Sequence, residues 1–172
     1  MKRHVGPILA SQISRAGAQM QHVESFSHHH GLEAVREAGL YDEIIQFLEA
    51  PKIPVASKSS RMIKQHMSRG LQRTGWALSP QVAPGFELDV NAIKNRVSLT
   101  TQAGNIARAF YDLLKFQALY VGDRIDAAVL VLPTKRAGKA LGSNIAQFDR
   151  VTHELTLFKH VVTVPLLVVS FE

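Results

Sequence analysis

Three consecutive histidines, His28, His29 and His30, are the first residues whose type suggests chemistry, because neutral imidazoles ligate transition metals. On an extended segment, adjacent side chains project to opposite faces. Three in a row therefore do not converge on one ion, and no acid stands at ligand spacing. Residues 27–31 are expected to form a polar turn or a DNA-contacting loop. Other catalytic signatures are absent: no G-x-x-x-x-G-K-[ST], no G-x-G-x-x-G and no G-x-S-x-G occurs. Cysteine is missing altogether, which excludes a thiol nucleophile, a thiolate zinc site and a disulfide scaffold. That fits a reducing cytoplasm, the expected location.

The basic residues are more informative. The chain carries 20 Lys and Arg against 14 acids, a formal charge of +6. Between Ala50 and Phe86 there is no acid, yet Lys52, Lys58, Arg61, Lys64, Arg69 and Arg73 all fall there. A second group, Lys135, Arg136 and Lys139, follows Pro133. Such runs read either as a solvated helix face or as a surface that contacts phosphates. The first acid is Glu24, so residues 1–20, with Lys2, Arg3 and Arg15, read as a flexible basic arm or a misassigned start, Met20 offering a second one.

At 172 residues, with 46% hydrophobic and 20% charged side chains, the chain suits one compact domain with an ordinary core. No apolar run reaches the ~18 residues that span a bilayer, so no membrane partner is expected. Hydrophobic spacing predicts a strand at 23–27, a helix at 32–50 ended by Pro51 and Pro54, and a second helix at 58–74 stopped by Gly75. Trp76, the single tryptophan, is expected to pack at the end of that helix. A loop at 79–85 leads to adjacent strands at 86–93 and 96–102. Then follow a helix at 105–120, a buried strand at 125–132, a loop at 133–142, a helix at 143–157 and a last strand at 161–171. The strand–helix–strand crossovers imply parallel neighbours, hence a single α/β domain over 21–172 with a mixed β-sheet flanked by helices.

Several segments, in order, resemble the BglII/BstYI-type restriction endonucleases. Phe26 to Glu33 is similar to that family's S-H-x-x-G-L-E segment, and Leu71 to Trp76 to its helix ending in G-W. Residues 94–105, from Lys94-Asn95-Arg96-Val97 to Gln102-Ala103-Gly104-Asn105, resemble its central K-[DN]-R-V-x-[IV]-E-V-Q-F-G-[NK]. Leu114 to Gln117 with Ile125-Asp126, Leu132 to Lys135, and Gly142-Ser143-Asn144 match later segments. The resemblance implies a PD-(D/E)xK nuclease fold, a homodimer on double-stranded DNA, and Mg2+-dependent cleavage. It also implies that Lys135, Arg136, Ser143 and Asn144 reach base edges while Lys58, Arg61, Lys64, Arg69 and Arg73 hold the backbone, with Lys139 a further DNA-binding residue.

The departures from the pattern bear on chemistry. The family's catalytic Asp, Glu and Gln fall on Asn91, Thr100 and Gln102, so only the Gln is kept. Magnesium is held by hard anionic oxygens and polarises the phosphate for attack by water. Two of its anionic ligands are replaced by neutral groups. Thr101 and Ala103 depart as well, which fits drift of the whole strand better than a designed pair of changes. On an extended strand Glu87, Asp89 and Asn91 would share a face, making Asp89 a candidate relocated catalytic and metal-binding carboxylate; Glu33 is a further candidate. Three readings stay open: a DNA-binding family member with impaired catalysis, an active Mg2+-dependent endonuclease using a relocated carboxylate, and a non-catalytic subunit of a larger defence complex.

Overall fold

The computed structural model describes residues 19–172. The expected basic arm lies outside the described residues except for its last two, which form β1 (Gln19–Met20). This short strand pairs antiparallel with β3 (Ala50–Pro54), and Met20 is buried in the core.

The main sheet has six strands. β2 (His22–His28) runs antiparallel to β8 (Leu166–Phe171) at one edge. β8, β7 (Ala127–Pro133) and β6 (Val97–Thr101) are parallel. β5 (Ala92–Lys94) and β4 (Ala77–Leu78) complete the other edge, antiparallel. The spatial order is β2-β8-β7-β6-β5-β4.

β7 is buried along its whole length, as a strand covered on both faces requires. Its side chains alternate: Val129 and Val131 join one apolar cluster, Leu130 and Leu132 the other. The first cluster is closed by α1 (Gly31–Glu37), α2 (Tyr41–Leu48), α3 (Ser60–Arg73) and α5 (Lys135–Leu141). The second is closed by α4 (Ile106–Val121) and α6 (Phe148–Leu157). The expected mixed α/β single domain is therefore what forms, as three layers.

Several elements differ from the sequence reading. The helix expected at 32–50 is two helices. Gly39 adopts φ +73°, where its N–H donates to the Arg36 carbonyl at 2.9 Å and that of Leu40 to Val35 at 3.1 Å. This pair of hydrogen bonds around a glycine ends the helix, and it outweighs the continuing apolar period. The 133–142 loop contains α5 instead, its first turn capped by the Thr134 hydroxyl, which accepts from the Ala137 amide at 3.2 Å. The helix expected from 143 starts at Phe148. The last strand starts at Leu166, because Val161 and Val162 donate back to Phe158 in the turn that ends α6.

The strand expected at 86–93 pairs in the sheet only from Ala92. Residues 80–90 form a loose hairpin, with Asp89 bridging Gln81 and the Val82 amide donating to Leu88 at 2.7 Å.

Gly31 is fixed by packing. A Cβ there would lie 2.1 Å from the Leu166 carbonyl carbon, so α1 starts against the backbone of β8. The histidines before it form a turn: His29 and His30 have positive φ, and the rings of His28 and His29 bond the carbonyls of Val162 and Lys159 at 2.7 and 2.6 Å. Trp76 is buried as expected, its indole N–H donating to Glu43 Oε1 at 2.6 Å.

Candidate functional site

A cavity of about 500 Å3 opens where β6 ends, between α3 and the first half of α4. β6 supplies Thr100 and Thr101, and the residue after it supplies Gln102. Asn91, on the turn into β5, stands opposite. Asn91, Thr100 and Gln102 are thus brought together, although the strand carrying Asn91 was expected to be longer.

Hydrogen bonds fix these groups. Asn91 Oδ1 accepts the Thr101 amide at 2.8 Å, and Thr100 Oγ1 accepts the Asn91 amide at 3.4 Å. The Asn91 and Thr100 side chains therefore bridge β6 to the turn before β5. Gln102, 5% exposed, donates through Nε2 to Asp112 Oδ2 at 2.9 Å. Its Oε1 and the Thr101 hydroxyl, both buried, have no hydrogen-bond partner.

Asp112 is the carboxylate that the sequence reading missed. It lies on α4, and its side chain is 6% exposed. Lys115 Nζ stands 3.1 Å from its Oδ1 and 5.1 Å from the Tyr111 ring centroid. The signal was an acid on the buried side of a helix, between Ala109 and Phe116, both fully enclosed.

Asp89 is exposed and does not line the cavity. Asp89 does not share a face with Asn91 as expected, because residues 86–91 are not a regular strand. Glu33 does not line the cavity either; it accepts from the Ser27 hydroxyl at 3.2 Å.

The expected backbone-holding residues Lys58, Arg61, Lys64, Arg69 and Arg73 are all exposed. They do not form one stripe. At about 100° per residue, Arg73 lies roughly half a turn around α3 from Lys64, and only Lys64 among the five lines the cavity.

Lys135, Arg136 and Lys139 sit on the exposed side of α5. Arg136 is engaged in a bidentate pair with Glu172, Nε to Oε2 at 2.9 Å and Nη2 to Oε1 at 2.5 Å. Those hydrogen bonds hold the Glu172 carboxyl below its ordinary pKa. Ser143 and Asn144 are exposed on the next loop. That loop is tied to the cavity's end of the sheet: Asn144 O accepts the Ile106 amide at 3.0 Å, and the Ala146 amide donates to Gly104 O at 2.8 Å.

Divalent metal does not fit the groups present. Among the described residues no three His, Cys, Asp or Glu side chains could share an ion. The one carboxylate lining the cavity already faces an ammonium. Asn91 Oδ1 and Thr100 Oγ1 are neutral and engaged in backbone bonds. Magnesium needs several oxygens, at least one or two of them anionic. The histidine turn offers no alternative, since two of its rings bond backbone carbonyls.

A mixed sheet with a parallel centre, layered by helices on both faces, and a polar cavity at the end of a central strand define a restriction-endonuclease-like domain. The solved structure of restriction endonuclease BglII complexed with a DNA 16-mer superposes with a TM-score of 0.72 at 15% identity, covering 86% of this chain and 74% of that one. Free BglII superposes at 0.65, also at 15% identity, over 86% and 77%. The family model described as restriction endonuclease BglII/BglIII matches residues 23–171, and the chain belongs to that family. A search of curated proteins finds no match.

Proposed function

We propose that the chain binds double-stranded DNA as a homodimer and has lost the metal-dependent cleavage that its family resemblance implies. One observation carries the reading: the sole carboxylate lining the cavity among the described residues, Asp112, is already paired with Lys115. A nuclease centre of this type needs anionic oxygens free for a cation. Here the replaced positions hold Asn91 and Thr100.

In this reading Lys64 and Arg61 contact phosphates, and the loop with Ser143 and Asn144, next to Lys135 and Lys139, faces the base edges. A second copy is supported by the apolar side chains left exposed on α4 and at and beyond the end of α6, among them Leu114, Val121, Leu157 and Val161.

The test is incubation with unmethylated plasmid DNA and magnesium or manganese, followed by duplex binding at several salt concentrations. No cleavage and a steep fall of log K with log salt are expected. Discrete fragments would overturn the loss of cleavage, and a flat salt dependence would overturn the phosphate contacts. Sedimentation reads the dimer. A second reading, cleavage by a relocated carboxylate, has Asp112 beside Gln102 in its favour, and the same plasmid assay decides it.

A further inference from the structure

The site has inverted its charge. Lys64, Arg108 and Lys115 line the cavity against one carboxylate, a formal +2 where a metal-dependent centre would be negative before its ion binds. We infer that this cavity binds a phosphate group directly, through Lys64, Arg108 and Lys115 and with no divalent cation. This rests on the DNA-binding reading and names what the site would hold.

The geometry of the floor supports it. Asp112 accepts from Gln102 Nε2, so the carboxamide is oriented with Oε1 away from that carboxylate. Oε1 points into the space over Gly104: a Cβ on Gly104 would lie 3.1 Å from it and 3.9 Å from Lys64 Nζ. The missing side chain leaves a cradle bounded by an acceptor and an ammonium. Gln102 Oε1 repels an anion and has no hydrogen-bond partner, so the anion is held from the Lys64 side of the cradle.

Thr101 also lines the cavity, and its hydroxyl, buried and unpartnered, has a hydrogen-bond capacity that nothing in the chain uses. Lys115 is steadied by Asp112 and the Tyr111 ring. Lys64 and Arg108 make no ion pair among the described residues, so their charge is available. The amides at the start of α4 are already taken, Ile106 by the Asn144 carbonyl and Ala107 by the Asn105 side chain. The start of α4 therefore supplies no amide to the anion, and the charge that attracts it is that of Lys64, Arg108 and Lys115.

The experiment is a titration of the isotope-labelled full chain with inorganic phosphate in the presence of EDTA, followed by amide resonances and the Arg108 side-chain N–H. Saturable shifts at 101–104 and Arg108 are expected. K64M and R108M should each weaken binding about tenfold, the scale of one charge-assisted hydrogen bond. G104A, which puts a methyl in the cradle, should weaken it without unfolding the chain.

Shifts that spare 101–104, or a response there to magnesium alone, would overturn the inference. A duplex that competes for the phosphate shifts supports it and identifies the ligand as a phosphodiester. A duplex that binds without moving these resonances would overturn it while leaving DNA binding intact. Phosphate binding with no duplex binding would support the site and remove the DNA-binding reading.

Discussion

Replacing Asp112 with Asn separates the two roles of the carboxylate, because the variant keeps the shape and loses the charge. Lys115, 15% exposed, would face an amide oxygen instead of a carboxylate 3.1 Å away. Breaking a fully buried pair costs about 3–5 kcal/mol, and the water that still reaches Lys115 lowers this to about 2–3. For a domain of this size that corresponds to a fall in Tm of roughly 4–12 °C. Binding should move the other way. The cavity gains one unit of positive charge, and at about 7 Å with an effective dielectric near 40 a unit charge is worth about 1 kcal/mol, or roughly fivefold in affinity for an anion. Circular dichroism melts and duplex titrations in EDTA read the two effects on one preparation. A variant that melts like the parent would show that Asp112 is not a structural partner of Lys115. One that binds DNA more weakly would refute the charge inversion.

Asn91→Asp with Thr100→Glu should create calcium binding that the parent lacks, read by calorimetry; no gain would mean that the register of these positions against the family pattern is wrong. Gly31→Ala should destabilise by about 3 kcal/mol or more, since the new Cβ would sit 2.1 Å from the Leu166 carbonyl carbon, and a denaturant midpoint equal to the parent's would refute the close approach. Burial lowers the pKa of His28 despite the hydrogen bond to the Val162 carbonyl. The unfolded chain then binds the proton more readily, so stability is full above the ordinary histidine value of about 6.5 and declines as pH falls below it towards the lowered folded value. His28→Gln should flatten that slope in denaturation curves, and an unchanged slope would assign it elsewhere.

Where local chemistry and packing agreed, the sequence was a sound guide. The helix expected at 105–120 forms within one residue, because Asn105 caps it and Ile106, Leu113 and Phe116 repeat along its buried side. β7 was legible as an unbroken apolar run. Errors arose where a short local signal competed with a longer period. Gly39 ended a helix whose apolar pattern continued, and Thr134 started one just after a proline that suggested a loop. At the site, Asn91, Thr100 and Gln102 were found by resemblance. Asp112, Arg108 and Lys115 were not, because only the fold brings α4 across the end of β6. Of the two basic groups, the sequence showed their number but not that Arg136 is held by Glu172, nor that Arg73 faces away from Lys64.

The antiparallel edge of the sheet has a consequence for how the chain reaches this state. Among the described residues β2 finds its ladder partner only in β8; the Glu24 amide meets the Ser170 hydroxyl across 146 residues. Closing a loop of that length costs about 4 kcal/mol in chain entropy before any contact returns it. The parallel centre, β6 with β7, can assemble over a shorter span, but β2 and the helix start packed on β8 at Gly31 must wait for the last strand. Folding should therefore be slow and end with that strand's insertion between β2 and β7, a step that synthesis from the ribosome cannot complete until β8 has emerged.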